Sequence, residues 1–266
     1  MQLNKFNYHI LVAVLILLGN SSCQRVIDLK LDNAATQLVI EGNVTNVHGA
    51  QYVTISQTVP FTNTNTFPAV SKATVTIADD RGNTYNLVEG TTPGTYISVF
   101  TGRPGITYTL TVITNGKTYT GSSTMPQPVF FDQLSYSNNT FKNNTELITV
   151  NYQDPINVPN QYRFVLYVNG VQDKTIFDAN DNFNDGSVVS FPLYQNNDDI
   201  VLGDTVVVEE QCIDKNMFTY WFSLSQQQNN GQGGGTAPSN PPSNLSNNAL
   251  GYFSAHTEQR QSVIIK

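Results

Sequence analysis

The strongest structural signal in the chain is the segment TYTLTVITNGKTYT, residues 107–120. On both sides of Asn115 and Gly116, threonines alternate with apolar or aromatic side chains, the period of two expected of half-buried strands. An Asn-Gly pair between two such runs favours the left-handed backbone of a tight hairpin turn. The segment therefore predicts a β-hairpin and a fold built from short paired strands.

The same alternation extends toward the N-terminus, where Val53/Ile55 and Val75/Ile77 fall on one face of their runs and threonines on the other. Turn-forming residues separate these runs. Seven short strands within about 90 residues are typical of an immunoglobulin-like or fibronectin-like sandwich. We therefore expect an Ig-like β-sandwich over residues 37–125.

A second β-rich domain is predicted over residues 129–266. Prolines at 126 and 128 favour a stiff, extended boundary before it. Its strand pattern is interrupted near 214–228 by apolar residues at helical spacing, with Asp214 as N-cap, and two short strands are expected to close the chain. The sequence thus predicts an all-β fold of two β-sandwich domains, the second carrying one short helix.

The N-terminus has the pattern of a lipoprotein signal. Residues 10–18 are apolar but too few to span a bilayer as a helix, and small residues then lead to Cys23. This pattern resembles a lipobox, although Asn20 stands where leucine is usual. We expect residues 1–22 to be removed as a signal peptide, lipid to be attached to Cys23, and residues 23–36 to form an anchor linker.

Composition limits the function. The chain has 13 Lys+Arg and 20 Asp+Glu, a net charge of −7, and no basic run, which argues against nucleic-acid binding. Cys212 would be the single unmodified cysteine, which predicts no internal disulfide, and we expect it to be buried at a strand end. His48 and His256 are expected at the surface. No recognised catalytic or phosphate-binding motif occurs, so we expect a protein that is not an enzyme and has no cofactor.

The polar segment at residues 178–186 is rich in Asp and Asn, the side chains that hard cations prefer. It departs from the EF-hand pattern, because Phe183 stands where that loop requires glycine. A solvated turn is therefore the favoured interpretation, and no metal site is predicted. The ligands in the alternative of a calcium site would be Asp178, Asn180, Asn182 and Asp185.

Aromatic residues near the predicted helix offer a possible binding surface, since exposed tyrosine and tryptophan rings stack on sugars or anchor proteins. Such a stripe more often packs a helix against a sheet. The aromatic residues concerned are Tyr220, Trp221, Tyr252 and Phe253.

Several short segments, in this order, resemble one protein family. They are Ile27-Asp-Leu, Gln37-Leu-Val-Ile-Glu-Gly42, Ala73-Thr-Val-Thr-Ile, Asp80-Arg-Gly-Asn, Pro93-Gly-Thr-Tyr96, Pro242-Ser-Asn-Leu and Ala249-Leu-Gly-Tyr-Phe-Ser-Ala255. Together with Cys23 they are similar to outer-membrane lipoproteins of Bacteroidetes grouped as domain-of-unknown-function family 4249. The resemblance supplies no catalytic residues.

Members of that family are typically encoded beside TonB-dependent receptors. The resemblance therefore implies a lipid-anchored outer-membrane accessory or binding protein that partners such a receptor in nutrient uptake, with a glycan or peptide as possible ligand. The membrane face stays open. A stand-alone carbohydrate-binding lipoprotein that uses the aromatic residues is the alternative, and an enzyme comes third.

Overall fold

The computed structural model describes residues 35–60, 66–142, 144–195, 199–229 and 239–266. This part of the chain is mostly β, with strands in a 12-stranded and a 3-stranded sheet, so the predicted all-β, sandwich-like fold is confirmed. The predicted signal peptide, Cys23 and most of the linker lie outside the described residues.

The strands follow the chain in two sets. The first set is β1 (Leu38–Thr45), β2 (Gly49–Gln57), β3 (Thr74–Asp79), β4 (Thr84–Glu89), β5 (Thr95–Phe100), β6 (Thr107–Thr114) and β7 (Lys117–Thr124). The second set is β8 (Phe131–Asn138), β9 (Glu146–Gln153), β10 (Gln161–Val168), β11 (Val171–Gln172), β12 (Phe177–Asn180), β13 (Val188–Leu193), β14 (Thr205–Cys212) and β15 (Leu250–Ile264). Helix α1 (Lys215–Asn229) lies between β14 and β15.

The first set forms a sandwich with the strand order of an immunoglobulin constant domain. β1, β2, β5 and β4 are neighbours on one side, β3, β6 and β7 on the other, and β4 pairs with both β5 and β3. Near the start of β6, the Tyr108 hydroxyl accepts a hydrogen bond of 2.8 Å from the backbone N–H of Arg103. A tyrosine bonded to backbone just upstream is the tyrosine corner of such sandwiches.

The two predicted hairpin turns form as expected. Asn115 and Gly116 have φ of 51° and 70°, and Asn169 and Gly170 have φ of 51° and 81°. Consecutive left-handed residues match the right-handed twist of the strands that they join. These turns connect β6 to β7 and β10 to β11.

β15 is one strand where the sequence predicted two, at 251–255 and 261–265. Its first half pairs in parallel with β1 and its second half antiparallel with β14. Gly251 has φ of 89°, and a Cβ atom there would lie 2.1 Å from the Ile40 carbonyl oxygen, so only glycine fits. The prediction was wrong because the polar stretch 256–261 is part of the continuous strand and not a loop between two strands.

The described residues form two apolar cores, and along the chain the boundary between them falls near residues 125–129. The first lies inside the β1–β7 sandwich and also contains Phe253 and Ala255 of β15, whereas the second lies between the β10/β14/β15 side and the three strands β8, β9 and β13. Residues 35–266 nevertheless form one compact unit. Independent folding of residues 37–125 stays a prediction, and β15 contributes residues to both cores.

Helix α1 is confirmed within a residue of its predicted bounds. The Asp214 carboxylate accepts hydrogen bonds from the backbone N–H of Asn216 (2.9 Å) and Met217 (3.0 Å), as an N-cap does. The helix packs on β10, β12 and β15. Within the described ranges, no helix has the length and apolar character needed to cross a bilayer.

Candidate functional site

The four aromatic residues considered for ligand binding are buried. Tyr220, Trp221 and Tyr252 are 7 %, 9 % and 8 % exposed, and Phe253 is fully buried in the first core. The rings of Trp221 and Tyr252 meet edge to face, with centroids 5.1 Å apart, between α1 and β15. A sugar cannot stack on rings that are already covered, so these positions fit the packing interpretation and provide no exposed platform.

Arg163 of β10 lies beneath the helix against Trp221. Its Cζ atom is 3.7 Å from the centroid of the indole ring, a cation–π contact. Its Nη1 donates a hydrogen bond of 3.1 Å to Oε1 of Gln211. Burial lowers the pKa of Arg163, but arginine stays charged at neutral pH.

This arginine belongs to a network of polar side chains on the outer face of the sheet, which we call the ion network. Glu209 is its centre: Gln211 Nε2 donates to Glu209 Oε1 at 2.5 Å, and Arg260 Nη2 lies 2.6 Å from Glu209 Oε2. The members of the ion network are Arg163, Glu209, Gln211, His256, Glu258 and Arg260.

Three members of the ion network have metal-ligating atoms close together. Atoms of Glu209, His256 and Glu258 lie within 4.8 Å of one another. Both oxygens of Glu209 are already engaged by Gln211 and Arg260, however. A metal ion would have to displace the charged arginine, so the arrangement fits an internal ion pair better than a metal centre.

The surface position expected of His256 is wrong. The residue is 3 % exposed, and its Nδ1 lies 2.9 Å from the Ser254 hydroxyl oxygen. Burial, together with the charge of Arg163, lowers the pKa of His256 to about 3, which keeps the ring neutral. The first half of β15 is buried on both faces, because it lies between the first core and α1. In the sequence, the apolar run before His256 was the available signal for this burial.

On the opposite face of β14, Glu210 and Cys212 point toward the second core. Burial raises the pKa of Glu210 to about 8, and its Oε1 has no hydrogen-bond partner within the described residues, although Gln259 Nε2 donates to Oε2 at 2.5 Å. A cavity of about 10 Å³ beside Glu210 and Thr257 has room for about one water molecule. Burial raises the pKa of Cys212 to about 12, so its thiol stays protonated and is a poor nucleophile.

An open cleft of about 490 Å³ lies at one end of the first sandwich. β1 and β5 are both antiparallel to β2, and β5 and β3 are both antiparallel to β4. The strands β1, β3 and β5 therefore run in the same direction. The connections that follow them therefore meet at one end of the sandwich. The side chains that line the cleft are His48, Asp79, Arg81, Asn83, Tyr85, Phe100, Thr101, Arg103, Ile106 and Tyr108.

One wall of the cleft is aromatic and its rim is charged. The rings of Tyr85 and Phe100 are stacked, with centroids 3.9 Å apart and planes 8° from parallel. Arg81 and Arg103 are exposed at the rim. Sequence reasoning missed this site because its residues come from three separate turns, and no motif joins them.

Asp79, the acidic residue that lines the cleft, stabilises the turn between β3 and β4. Its carboxylate accepts hydrogen bonds from the backbone N–H of Arg81 (3.0 Å) and of Asn83 (2.8 Å), and from Asn83 Nδ2 (2.8 Å). Partial burial raises the pKa of Asp79, but these bonds outweigh burial and lower it overall. His48 Nδ1 lies 2.9 Å from the Thr101 hydroxyl oxygen. Catalysis by that pair would require a group that orients His48, and Asp79 is committed elsewhere.

The four side chains considered for calcium do not converge. Asp178 is on the outer face, where its carboxylate accepts a hydrogen bond from Ser225 of α1, and Asn180 Oδ1 accepts one of 3.2 Å from the backbone N–H of Asn182. Asp185 instead joins two other acids in the turn region. Carboxylate oxygens of Asp154, Asp181 and Asp185 lie within 4.8 Å of one another. Asp154 follows β9, far along the sequence, so no local motif includes it.

The chain matches the model of a known protein family. No curated protein matches the chain. The model of a family described as "Domain of unknown function (DUF4249)" matches residues 24–262, which is most of the chain and covers both sandwiches. The chain therefore belongs to the domain-of-unknown-function family DUF4249.

Proposed function

We propose that this chain is a lipid-anchored, non-catalytic binding protein of the outer membrane, which works beside a TonB-dependent receptor and binds through the cleft of the first sandwich. Cys23 would carry the lipid after removal of residues 1–22. The family match begins at residue 24, directly after this cysteine, which supports that boundary. Acyl chains hold a protein at a bilayer by about 0.8 kcal/mol for each buried methylene.

The observation that carries the binding role is the composition of the cleft. Arg81 and Arg103 are exposed, and Asp79 is the one acid among the lining residues, so the two arginines outnumber the acid at the cleft of a chain whose net charge is −7. The planar guanidinium group pairs with carboxylates and phosphates through two parallel hydrogen bonds. The stacked Tyr85 and Phe100 add an aromatic wall. The cleft suits a ligand or receptor segment that presents an anionic group next to an apolar or ring surface.

The framework around the cleft also suits binding more than catalysis. The turns that form it are fixed by backbone hydrogen bonds, such as those from Gly102 N to Thr45 O (2.8 Å) and from Asp79 N to Asn83 O (2.9 Å). Preformed loops lose little conformational entropy when a ligand binds. The commitment of Asp79 to its turn leaves the His48–Thr101 pair without that acid as an orienting group.

The test is affinity purification of the protein from native outer membranes, followed by mass spectrometry. We expect a TonB-dependent receptor to co-purify with the wild type. Recovery should fall at least tenfold, about 1.4 kcal/mol, in the double variant Arg81→Gln/Arg103→Gln. Lys117→Gln, at the exposed β6–β7 turn away from the cleft, should leave recovery unchanged.

The anchor is tested in the same strains. Cys23→Ala removes the acylation site, so the protein should move from the membrane to the soluble fraction.

Equal receptor recovery from the wild type and the double arginine variant would exclude the cleft as the binding surface. Absence of any receptor from wild-type preparations would contradict the partnership, and membrane retention of Cys23→Ala would contradict the lipid anchor.

A further inference from the structure

Three carboxylates that are distant in sequence meet at one end of the second sandwich, and we call them the aspartate group. Asp154 comes directly after β9, whereas Asp181 and Asp185 lie in the turn between β12 and β13. One oxygen of each lies within 4.8 Å of an oxygen of the other two. The group is remote from the cleft residues in sequence and belongs to the other core.

Each carboxylate in the aspartate group is held through one oxygen. The backbone N–H of Gly186 also acts on the Asp154 carboxylate and lowers its pKa, but within the described residues no hydrogen bond of good geometry reaches Asp154 Oδ2 or the second oxygen of Asp181 or of Asp185. The three fixed contacts are Tyr162 Oη to Asp154 Oδ1 (2.7 Å), Asn160 N to Asp181 Oδ2 (3.1 Å) and Asn157 N to Asp185 Oδ1 (2.6 Å). This arrangement orients the carboxylates and leaves one oxygen of each available for a ligand.

The buried member of the group lacks the partner that its position requires. Asp154 is 1 % exposed, and its Oδ2 is buried without a hydrogen-bond partner among the described residues. Buried charged oxygens are almost always paired or bound to metal. The ion pairs of the described ranges involve none of the three aspartates.

We propose that Asp154, Asp181 and Asp185 bind one divalent cation and that this cation is Ca²⁺. The three donors are all carboxylate oxygens, which hard cations prefer, whereas zinc sites are built mainly from nitrogen and sulfur ligands. Ca²⁺ binds oxygens at about 2.3–2.6 Å, so two oxygens on opposite sides of it are about 5 Å apart. Oxygens within 4.8 Å of one another can therefore share one ion with little movement.

The bound ion would join two connections of the second sandwich. The segment after β9 and the turn after β12 already contact through hydrogen bonds, among them Asp154 N to Ser187 O at 2.9 Å. Ca²⁺ favours flexible sites that also include backbone carbonyls and water, which suits donors from two connections more than the strict octahedron of Mg²⁺ does. Asp185 is exposed, so the ion can enter from solvent.

The experiment titrates CaCl₂ into the purified mature protein after removal of metal with a chelator. By calorimetry we expect one Ca²⁺ per chain with a Kd of about 10⁻⁴–10⁻³ M, the range of extracellular modules. Tb³⁺ should also bind and show emission excited through tyrosine, because the Tyr162 hydroxyl contacts Asp154, and Ca²⁺ should displace it.

Two variants separate this site from general binding to an acidic surface. Asp185→Asn keeps an oxygen for the Asn157 N–H but removes a charge, and should weaken Ca²⁺ binding at least tenfold. Asp132→Asn, an exposed aspartate on β8 outside the group, should bind as the wild type does. Binding absent below about 10 mM Ca²⁺, equal affinity in Asp185→Asn and wild type, or tighter binding of Mg²⁺ than of Ca²⁺ would overturn the proposal. None of these outcomes depends on the function of the cleft.

Discussion

The ion network and the aspartate group both place three metal-ligating side chains within 4.8 Å of one another, yet they differ in how their charge is compensated. In the ion network, Arg260 contacts both Glu209 (2.6 Å) and Glu258 (3.9 Å), and Arg163 reaches the same cluster through Gln211. The ion pairs of the described residues include none with the aspartate group. Ligand spacing alone therefore does not separate an internal ion pair from a cation site; the neighbouring charges do.

The difference follows from where each cluster lies in the fold. The register of three paired strands aligns Arg163 with Gln211 and Glu258, and Glu209 with Arg260. Oppositely charged residues on adjacent strands stabilise a sheet. The aspartate group lies in connections between strands, where no register supplies a basic neighbour.

The largest effect is expected when the ion network loses a cation. Arg163→Met should lower the free energy of unfolding by about 2–4 kcal/mol, because it removes the contact with Trp221 and the donor to Gln211 and leaves Glu209 less compensated. Urea denaturation at pH 7 measures this. Arg81→Met, at an exposed arginine of the cleft rim, should stay within about 0.5 kcal/mol of wild type. Similar stability of both variants would mean that the network contributes little.

A second comparison uses adjacent glutamates on opposite faces of β14. Glu209→Gln should destabilise by about 1–3 kcal/mol, because it breaks the ion pair with Arg260 in a buried position. Glu210→Gln should instead stabilise the protein by roughly 1–3 kcal/mol at pH 8, because the folded state no longer contains a carboxyl whose ionisation burial opposes.

The pH dependence gives the sign of the Glu210 effect. Below pH 4.5 the carboxyl is protonated in both states. Between pH 4.5 and about 8 the unfolded chain has lost the proton whereas the folded chain keeps it, so the contribution of Glu210 to stability falls as pH rises through that window. Above about pH 8 the carboxyl is ionised in both states, and the contribution of Glu210 to stability no longer changes with pH. Glu210→Gln should remove this slope in denaturant midpoints measured from pH 4 to 9; an unchanged slope would contradict the role of Glu210.

The sequence predicted local features well and long-range ones poorly. The Asn115–Gly116 turn, the Asp214 cap and the alternating strands depend on neighbouring residues, and all three form. The burial of His256 depends on β15 lying between the first core and α1; the apolar run before His256 was a local signal, but the strands of the first core that cover it are distant in sequence. The cleft and the aspartate group are likewise assembled from separate connections, so only the pairing of strands brings their residues together.

The smallest expected effect is that of removing one charge from the aspartate group. Its sign should be opposite to that of removing the Arg163 or Glu209 charge from the ion network, so it tests the comparison directly. In the presence of a chelator, Asp185→Asn should raise the free energy of unfolding by about 0.5–1 kcal/mol. It removes one of three like charges at an exposed position, where solvent screens much of the repulsion, while an amide oxygen still accepts the Asn157 N–H.

Added Ca²⁺ should reverse that order. An ion that binds the folded state stabilises it by RT ln(1 + [Ca²⁺]/Kd), about 2.7 kcal/mol at a hundredfold excess over Kd, so the wild type should become the more stable protein. Asp132→Asn should follow the wild type in both conditions. Destabilisation by Asp185→Asn in chelator would mean that the aspartate group is compensated as the ion network is, through contacts within the protein. Since removal of the Arg163 charge or of the Glu209 charge from the ion network is expected to cost stability without metal, the sign of the Asp185→Asn change distinguishes the two kinds of cluster.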